Sequence, residues 1–272
     1  MTRNNQKRTA DAKARKADER ASELQKEEQE RLKRINDTLH TLPIASWQWP
    51  RVLLAFLKER SMSYMDQVED NKAQIYMQGP TPLFLNYTRT DLARNKLATE
   101  FLKSSFTHLI MLDIDHQHPI DIIQRLSRWV MMDPEIKVVG GLNFRRSYPH
   151  DPCCHLFGED GNIYAPAEWD KEGLMEVAAI GTGSIMIARE VFEEIQPPWF
   201  FNIYDGVWED SWPGEDMGFS KKCREYGFKM YVDVQTTSPH VGEYLIGEEN
   251  FRAAIENGDL QMKSLDGVKI VN

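Results

Sequence analysis

Leu109-Ile110-Met111-Leu112-Asp113-Ile114-Asp115-His116 is the stretch on which the reading of this chain turns. His108 to Leu112 is a short, continuous apolar run of the kind that forms a strand buried on both faces. It stops at two aspartates separated by one residue. Open α/β sheets place their ligands at the carboxyl ends of strands, and Asp113 and Asp115 fall at such an end. Residues two apart on a strand share a face, so the pattern predicts that both carboxylates meet one ligand. Their oxygens are hard donors suited to Mn²⁺ or Mg²⁺, and such a cation can bridge diphosphate oxygens. Asp-x-Asp alone is a weak pattern in an acidic chain. Its position after an apolar strand gives it weight.

Strand and helix patterns alternate outward from this point. Upstream, Leu42 to Trp47 reads as a first strand and Pro50 to Glu59 as a helix opened by proline. Leu83 to Tyr87 reads as a strand and Thr90 to Lys103 as a helix with Leu92, Leu97, Phe101 and Leu102 on one side. Downstream come a helix over Pro119 to Met131, a strand over Val138 to Leu142, and strands over Glu176 to Ile180 and Ser184 to Ala188 around a glycine turn. Helices over Arg189 to Ile195 and Met217 to Tyr226 and a strand over Lys229 to Val234 complete the pattern. Such alternation predicts an α/β fold with a mostly parallel central sheet flanked by helices. Residues 1–40 read as a charged helical or disordered extension, 41–242 as the globular domain, and 243–272 as a polar C-terminal tail.

Two more segments carry candidate chemistry. In Gly214-Glu215-Asp216 an acidic pair opens a helix, where carboxylates are favoured by the helix dipole whether or not they react. One of them can also take a proton from an attacking hydroxyl or position it. In Thr237-Ser238-Pro239-His240-Val241-Gly242 a histidine leaves a strand into a loop. Many lone histidines are structural, but a neutral imidazole here can complete a carboxylate-bound metal site. His116 and His118 are rival ligands by proximity, although Pro119 suggests that they enter a surface turn.

Composition narrows the partners. The 272 residues carry a formal charge of −9, unevenly spread. Residues 1–36 hold 11 Lys/Arg against 7 Asp/Glu, leaving 22 against 35 for the remainder. So acidic a body is a poor match for nucleic acid or an anionic membrane surface, but it can still bind an anionic ligand where a divalent cation neutralises the contact. The charged arm permits oligomerisation or tethering. Cys153, Cys154 and Cys223 offer neither a disulfide framework nor paired zinc-ligand spacing. With no apolar leader and no run of about 18 apolar residues, the expectation is a soluble, intracellular, cytoplasmic protein.

The order of these motifs resembles that of GT-A glycosyltransferases, including family 2-like proteins. Asp113-Ile114-Asp115 is similar to their DxD motif, Leu92-Ala93-Arg94-Asn95 to an upstream "ARN" helix, and Gly214-Glu215-Asp216 to the "ED" motif. Gly181-Thr182-Gly183-Ser184 followed by Pro198-Trp199-Phe200 resembles the glycine turn and acceptor-side segment, and His240 the C-terminal metal-binding histidine. The resemblance implies a Rossmann-like GT-A fold and transfer of a sugar from a UDP- or GDP-sugar to an acceptor hydroxyl, with Mn²⁺ or Mg²⁺. It implies a direct metal bond from Asp115, and contact of Asp113 with the donor ribose or with the metal through water. His240 would complete the metal site, and Arg94 with Asn95 would lie near the nucleobase or diphosphate. Asp216 would act as base with Glu215 beside it, and Gly181 and Gly183 would admit the sugar. Each has a plain alternative: a surface ion pair for Arg94, and a hairpin turn for the glycines. Trp199, Trp208 and Trp212 can stack on a sugar, though Trp199 equally suits a core.

The segment Arg145 to Gly173, with Arg145-Arg146, matches none of these motifs and by position lies over the site. The acceptor is open among protein, glycan, lipid-linked sugar and modified DNA. The competing readings are a metal-dependent nucleotidyltransferase or similar phosphate enzyme, and a non-catalytic module that binds a nucleotide sugar or carbohydrate.

Overall fold

A computed structural model of the chain describes residues 30, 50, 52–58, 83–86, 89–203, 213–242, 245–259, 262–265 and 268–271. Two compact units are separated between Pro43 and Ile44. The first strand expected over Leu42 to Trp47 lies outside the described residues, as do Trp208, Trp212 and nearly all of the charged arm. Among the described residues no helix is long and apolar enough to cross a membrane.

Strands β1 (Val52–Lys58), β2 (Leu83–Asn86) and β3 (His108–Asp113) open the second unit, with helix α1 (Thr90–Leu102) before β3. Helix α2 (Ile122–Met132) and strand β4 (Val138–Asn143) follow. The long segment after β4 holds β5 (Cys154–Phe157), β6 (Ile163–Pro166), β7 (Leu174–Val177) and β8 (Ala179–Ile180). Next come β9 (Ser184–Ala188), α3 (Arg189–Glu194), α4 (Glu215–Glu225) and β10 (Met230–Ser238). Short strands β11 (His240–Val241) and β12 (Leu245–Ile246) lead to α5 (Glu248–Glu256), and β13 (Met262–Leu265) and β14 (Val268–Val271) end the chain.

The architecture is α/β, with a central sheet of order β2-β1-β3-β9-β4-β10-β7 flanked by helices. Its pairing is mixed, with five of the seven strands running in one direction. β1 is parallel to β2 and to β3, and β10 to β4. β9 runs antiparallel between β3 and β4, and β7 antiparallel to β10. The excursion from β4 through β8 brings the chain back to the carboxyl edge of the sheet, so β9 must run the other way. It leaves β1, β2, β3, β4 and β10 pointing in one direction. Their carboxyl ends therefore share an edge, where Asp113, Asn143 and Ser238 close β3, β4 and β10.

One helix expectation is corrected. Within the stretch Pro50 to Glu59, Val52–Lys58 is strand β1, not a helix. Val52-Leu53-Leu54-Ala55 is buried where β1 lies between β2 and β3, and a short run apolar on every side suits a central strand. Described residues beyond Val241 also form regular elements: α5 buries Phe251 in the main core, stacked on Trp169.

Packing fixes the elements that carry the site. In α2, Ile122, Ile123, Leu126, Trp129 and Val130 recur at helical spacing and are buried, and the helix lies on β4 and β10. In α4 the backbone of Phe201 crosses at Gly218, where a β-carbon would stand 1.9 Å from the Phe201 carbonyl oxygen. Only glycine admits that approach. The contact fixes α4, and with it Glu215 and Asp216, against the 199–203 segment.

Candidate active site

Asp115 lies just past the end of β3, and two backbone bonds tie its loop to the segment after β10. Val241 N donates to the Asp115 carbonyl at 2.7 Å and Gln117 N to the Pro239 carbonyl at 2.9 Å. This pairing sets His116 opposite His240, with ring centroids 4.0 Å apart. Asp115, His116 and His240 each present a donor atom, and these atoms lie within 4.8 Å of one another. A mixed oxygen and imidazole set of this size fits a divalent transition ion.

The hydrogen bonds of His240 strengthen that fit. Its Nδ1 donates to the Phe144 carbonyl at 3.1 Å, so a neutral ring directs the Nε2 lone pair outward. The lone pair faces Asp115 Oδ2 at 2.9 Å. With this tautomer two electron-rich atoms face each other, and a cation between or beside them relieves their repulsion. A ring oriented by a backbone carbonyl is the arrangement that metal-binding histidines use. In this structure the cation is the Arg146 guanidinium, whose one terminal nitrogen reaches both Asp115 Oδ2 and, at 3.1 Å, His240 Nε2. Burial works against ionisation of Asp115, but the hydrogen bond from His116 holds its carboxyl well below the usual range.

Asp113 does not join this group. The strand ends at Asp113 and the chain turns, so the alternation that would aim both aspartates at one ligand no longer applies at Asp115. Both Asp113 oxygens instead accept from one nitrogen of Arg94, at 3.0 Å each. Arg94 also donates to Glu215 at 3.2 Å and to the Thr182 carbonyl at 3.2 Å. Its side chain is 2% exposed, so the surface ion pair is excluded. Burial opposes the charge on Arg94, but the Asp113 and Glu215 carboxylates keep it firmly protonated. One buried guanidinium thus ties the end of β3 to the start of α4.

Asp216, next to Glu215, keeps a free role. Burial and then the Glu215 charge push its carboxyl up to about 6. Its Oδ1 accepts from Met217 N at 2.8 Å. The Cys153 thiol, pushed up to about 12 by burial and then by the charge of Asp216, also feels Asp113. The acidic start of α4 and the end of β3 therefore share one neighbourhood.

Other predicted site residues are committed elsewhere. Asn95 accepts from Trp199 N and Phe200 N through its carbonyl, at 2.8 and 3.2 Å, and donates to the Phe200 and Asp91 carbonyls at 2.6 and 2.8 Å. It clasps a loop and has no reach for a cofactor. Asn95→Ala should lower stability by about 1–3 kcal/mol through the unpaired backbone groups it leaves, while Mn²⁺ affinity measured calorimetrically stays unchanged. Gly181 is required by Cys153, whose carbonyl accepts from Gly181 N at 2.5 Å and whose β-carbon would stand 2.6 Å from a side chain. Gly183 faces the site, but what a β-carbon there would meet is the His116 ring at 3.0 Å. The glycine turn is no hairpin, since β8 pairs with β5 while β9 pairs with β3 and β4. Trp199 is a core residue, its indole N–H bonded to the Phe192 and Ile195 carbonyls.

His116 and His118 are buried and not in a surface turn. His118 donates from Nε2 to the Asp113 carbonyl at 2.8 Å and accepts at Nδ1 from Ser238 Oγ at 3.0 Å, bracing β3 to β10. Burial, then the nearby His116, push it down to about 3, so it stays neutral. Pro119 misdirects because the turn it opens begins one residue beyond the buried pair. Two residues were not singled out by sequence. Arg146 reaches the cluster from the unassigned segment, where only the Arg145-Arg146 pair hinted at it. Asn143 ends β4, and its buried Nδ2 has no partner, although it lies within reach of the space beside Gly183 and His116.

No protein-family model matches the sequence, and no curated protein does. Several solved structures are similar. A197 from STIV is 19% identical with a TM-score of 0.50, covering 71% of this chain and 86% of that one. GalNAc-T7 with UDP, GalNAc and Mn²⁺ is 13% identical with a TM-score of 0.45, covering 76% and 48%. CMP:2-keto-3-deoxy-manno-octonic acid synthetase complexed with CTP is 9% identical with a TM-score of 0.41, covering 76% and 96%. The likeness to A197 is one of fold.

Proposed function

We propose that the chain is a metal-dependent GT-A glycosyltransferase that moves a sugar from a UDP- or GDP-sugar to an acceptor hydroxyl. The observation that carries this reading is the meeting of Asp115, His116 and His240 at the carboxyl edge of the sheet, with a separate carboxylate, Asp216, poised near neutrality. Transfer to a hydroxyl is helped by a nearby proton acceptor, and Asp216 has the properties of one. Asp115 and His240, with His116, would hold Mn²⁺ or Mg²⁺. Held by these residues, a divalent ion would supply Lewis-acid assistance to the departing diphosphate.

The protein's own groups do the rest. Arg94 holds Asp113 and Glu215 in place, leaving Asp113 free at its outer edge to meet the donor ribose. Asn143 Nδ2 is an unpaired donor suited to a sugar oxygen. Asp216 takes the acceptor proton. A cleft of about 670 Å³, lined in part by Phe144, Pro239, Glu248 and Arg252, adjoins the His240 turn and is the place we assign to the acceptor.

The test is incubation with a panel of UDP- and GDP-sugars, Mn²⁺ and varied acceptors, following nucleoside diphosphate release. Release of pyrophosphate from a nucleoside triphosphate plus a sugar phosphate would replace this reading with a nucleotidyltransferase. Mn²⁺-dependent binding without turnover across the panel would replace it with a binding module.

Asp216 gives a prediction with a definite sign. Its folded-state value, about 6, lies above the ordinary carboxyl value of 3.8. It therefore favours the fold at low pH, and that contribution is lost as pH rises from about 4 through 6. Asp216→Asn should be as stable as the wild type near pH 4 and more stable above pH 6, in thermal melts without metal. Its turnover should fall by about 10²–10⁴-fold, and wild-type kcat should climb through pH 6. Unchanged turnover in Asp216→Asn would remove it as the base.

A further inference from the structure

Arg146 occupies the position where the proposed cation belongs. Its guanidinium nitrogen bonds at once to Asp115 Oδ2 and to His240 Nε2, the two atoms whose electron pairs converge. Yet the side chain is not built in: it is 46% exposed, whereas Arg94 across the site is 2% exposed. An exposed ion pair holds weakly and is readily exchanged for a stronger cation. Arg146 can donate but never accept, and His240 Nε2 has one lone pair to give. Arg146 and a metal ion cannot both take it. Its neighbour Arg145 faces away, paired with Asp151 at 3.3 Å, so a single residue of the pair enters the cluster.

The geometry points to Arg146 as a built-in competitor of the divalent ion: its guanidinium neutralises the Asp115–His240 pair while the site is empty of metal and must leave when metal binds. This deepens the glycosyltransferase reading and rests on it for the identity of the ion. It has two consequences. The metal-free protein avoids an uncompensated carboxylate facing a lone pair, so the site stays formed before loading. Loading also frees a guanidinium at the rim of the site, and a guanidinium is the side chain best shaped for a phosphate oxygen pair. The same residue that weakens metal binding in the absence of donor then strengthens donor binding in its presence.

Competition is measured without any reaction. If the guanidinium holds the site in about nine molecules of ten, the apparent affinity for metal is about tenfold weaker than the intrinsic one. Mn²⁺ binding to the full-length wild type, Arg146→Gln and Arg146→Lys, followed by calorimetry or by loss of the free-ion paramagnetic signal, should show about tenfold tighter binding in Arg146→Gln. Arg146→Lys should fall between. Adding UDP should reverse the order, so that Mn²⁺–UDP binds more weakly to Arg146→Gln than to the wild type. Equal or weaker Mn²⁺ binding by Arg146→Gln overturns the competition while leaving the metal-dependent reading standing. No Mn²⁺ uptake by any of the three overturns both. Circular dichroism melts confirm that the exposed substitution leaves the fold intact.

Discussion

Arg94→Met is expected to destabilise the second unit more than any other single change at the site. The substitution nearly preserves length and volume but strips the shared partner from two carboxylates. Asp113 would lose both of its bonds and Glu215 one, each with its side chain about four-fifths covered. Breaking a buried charge network costs about 3–5 kcal/mol, and partial exposure of both carboxylates argues for the lower end. In a domain of this size that is a drop of about 6–12 °C in the midpoint of a thermal melt. The cause can be separated from simple loss of contacts. Arg94→Met combined with Asp113→Asn and Glu215→Gln removes the stranded charges along with their partner. The triple variant should recover most of the lost stability. If the single variant melts like the wild type, the guanidinium does not hold β3 and α4 together.

Asp115→Ala should have the largest effect on metal. Asp115 is the one carboxylate in the cluster; it bonds to His116 and faces His240 Nε2 at 2.9 Å. Changes even to groups that merely support metal ligands cost about 10–100-fold in affinity, so loss of this ligand should exceed about 100-fold. Thermal melts report it directly. Saturating Mn²⁺ should raise the wild-type midpoint, because an ion that binds only the folded state stabilises it by mass action. The same addition should leave Asp115→Ala unmoved, and nucleoside diphosphate release should vanish. A Mn²⁺ shift that survives in Asp115→Ala would place the ion elsewhere. Asp113→Ala, by contrast, should keep the Mn²⁺ shift, since its oxygens are held by Arg94.

Much of the fold was legible in the sequence. The run His108 to Leu112 and the helical spacing in α2 follow from periodicity, and both elements form within a few residues of where the pattern puts them. Strand direction was not legible. Nothing in Ser184 to Ala188 distinguishes a parallel strand from an antiparallel one, since side chains alternate in either case. Val52 to Leu57 was misread because an apolar run of that length satisfies strand and helix alike. At the site, the elements were legible and the pairings were not. Asp115 and His240 were visible as motifs, but that Asp113 would turn to Arg94 depends on where the strand stops, a matter of one residue. His116 was a rival ligand set aside on account of the proline three positions on, and Arg146 was hidden by a segment with no pattern to read.

The two residues that define the cluster, Asp115 and His240, stand 125 positions apart, and the bridge between their loops forms only when β10 has docked beside β4. No fragment that stops short of β11 contains the whole Asp115–His116–His240 cluster. If the cluster holds an ion as proposed, the polypeptide stays unable to bind it there during synthesis until nearly the whole sheet has been threaded, with β9 already laid between β3 and β4. Binding at that site would then report completed assembly.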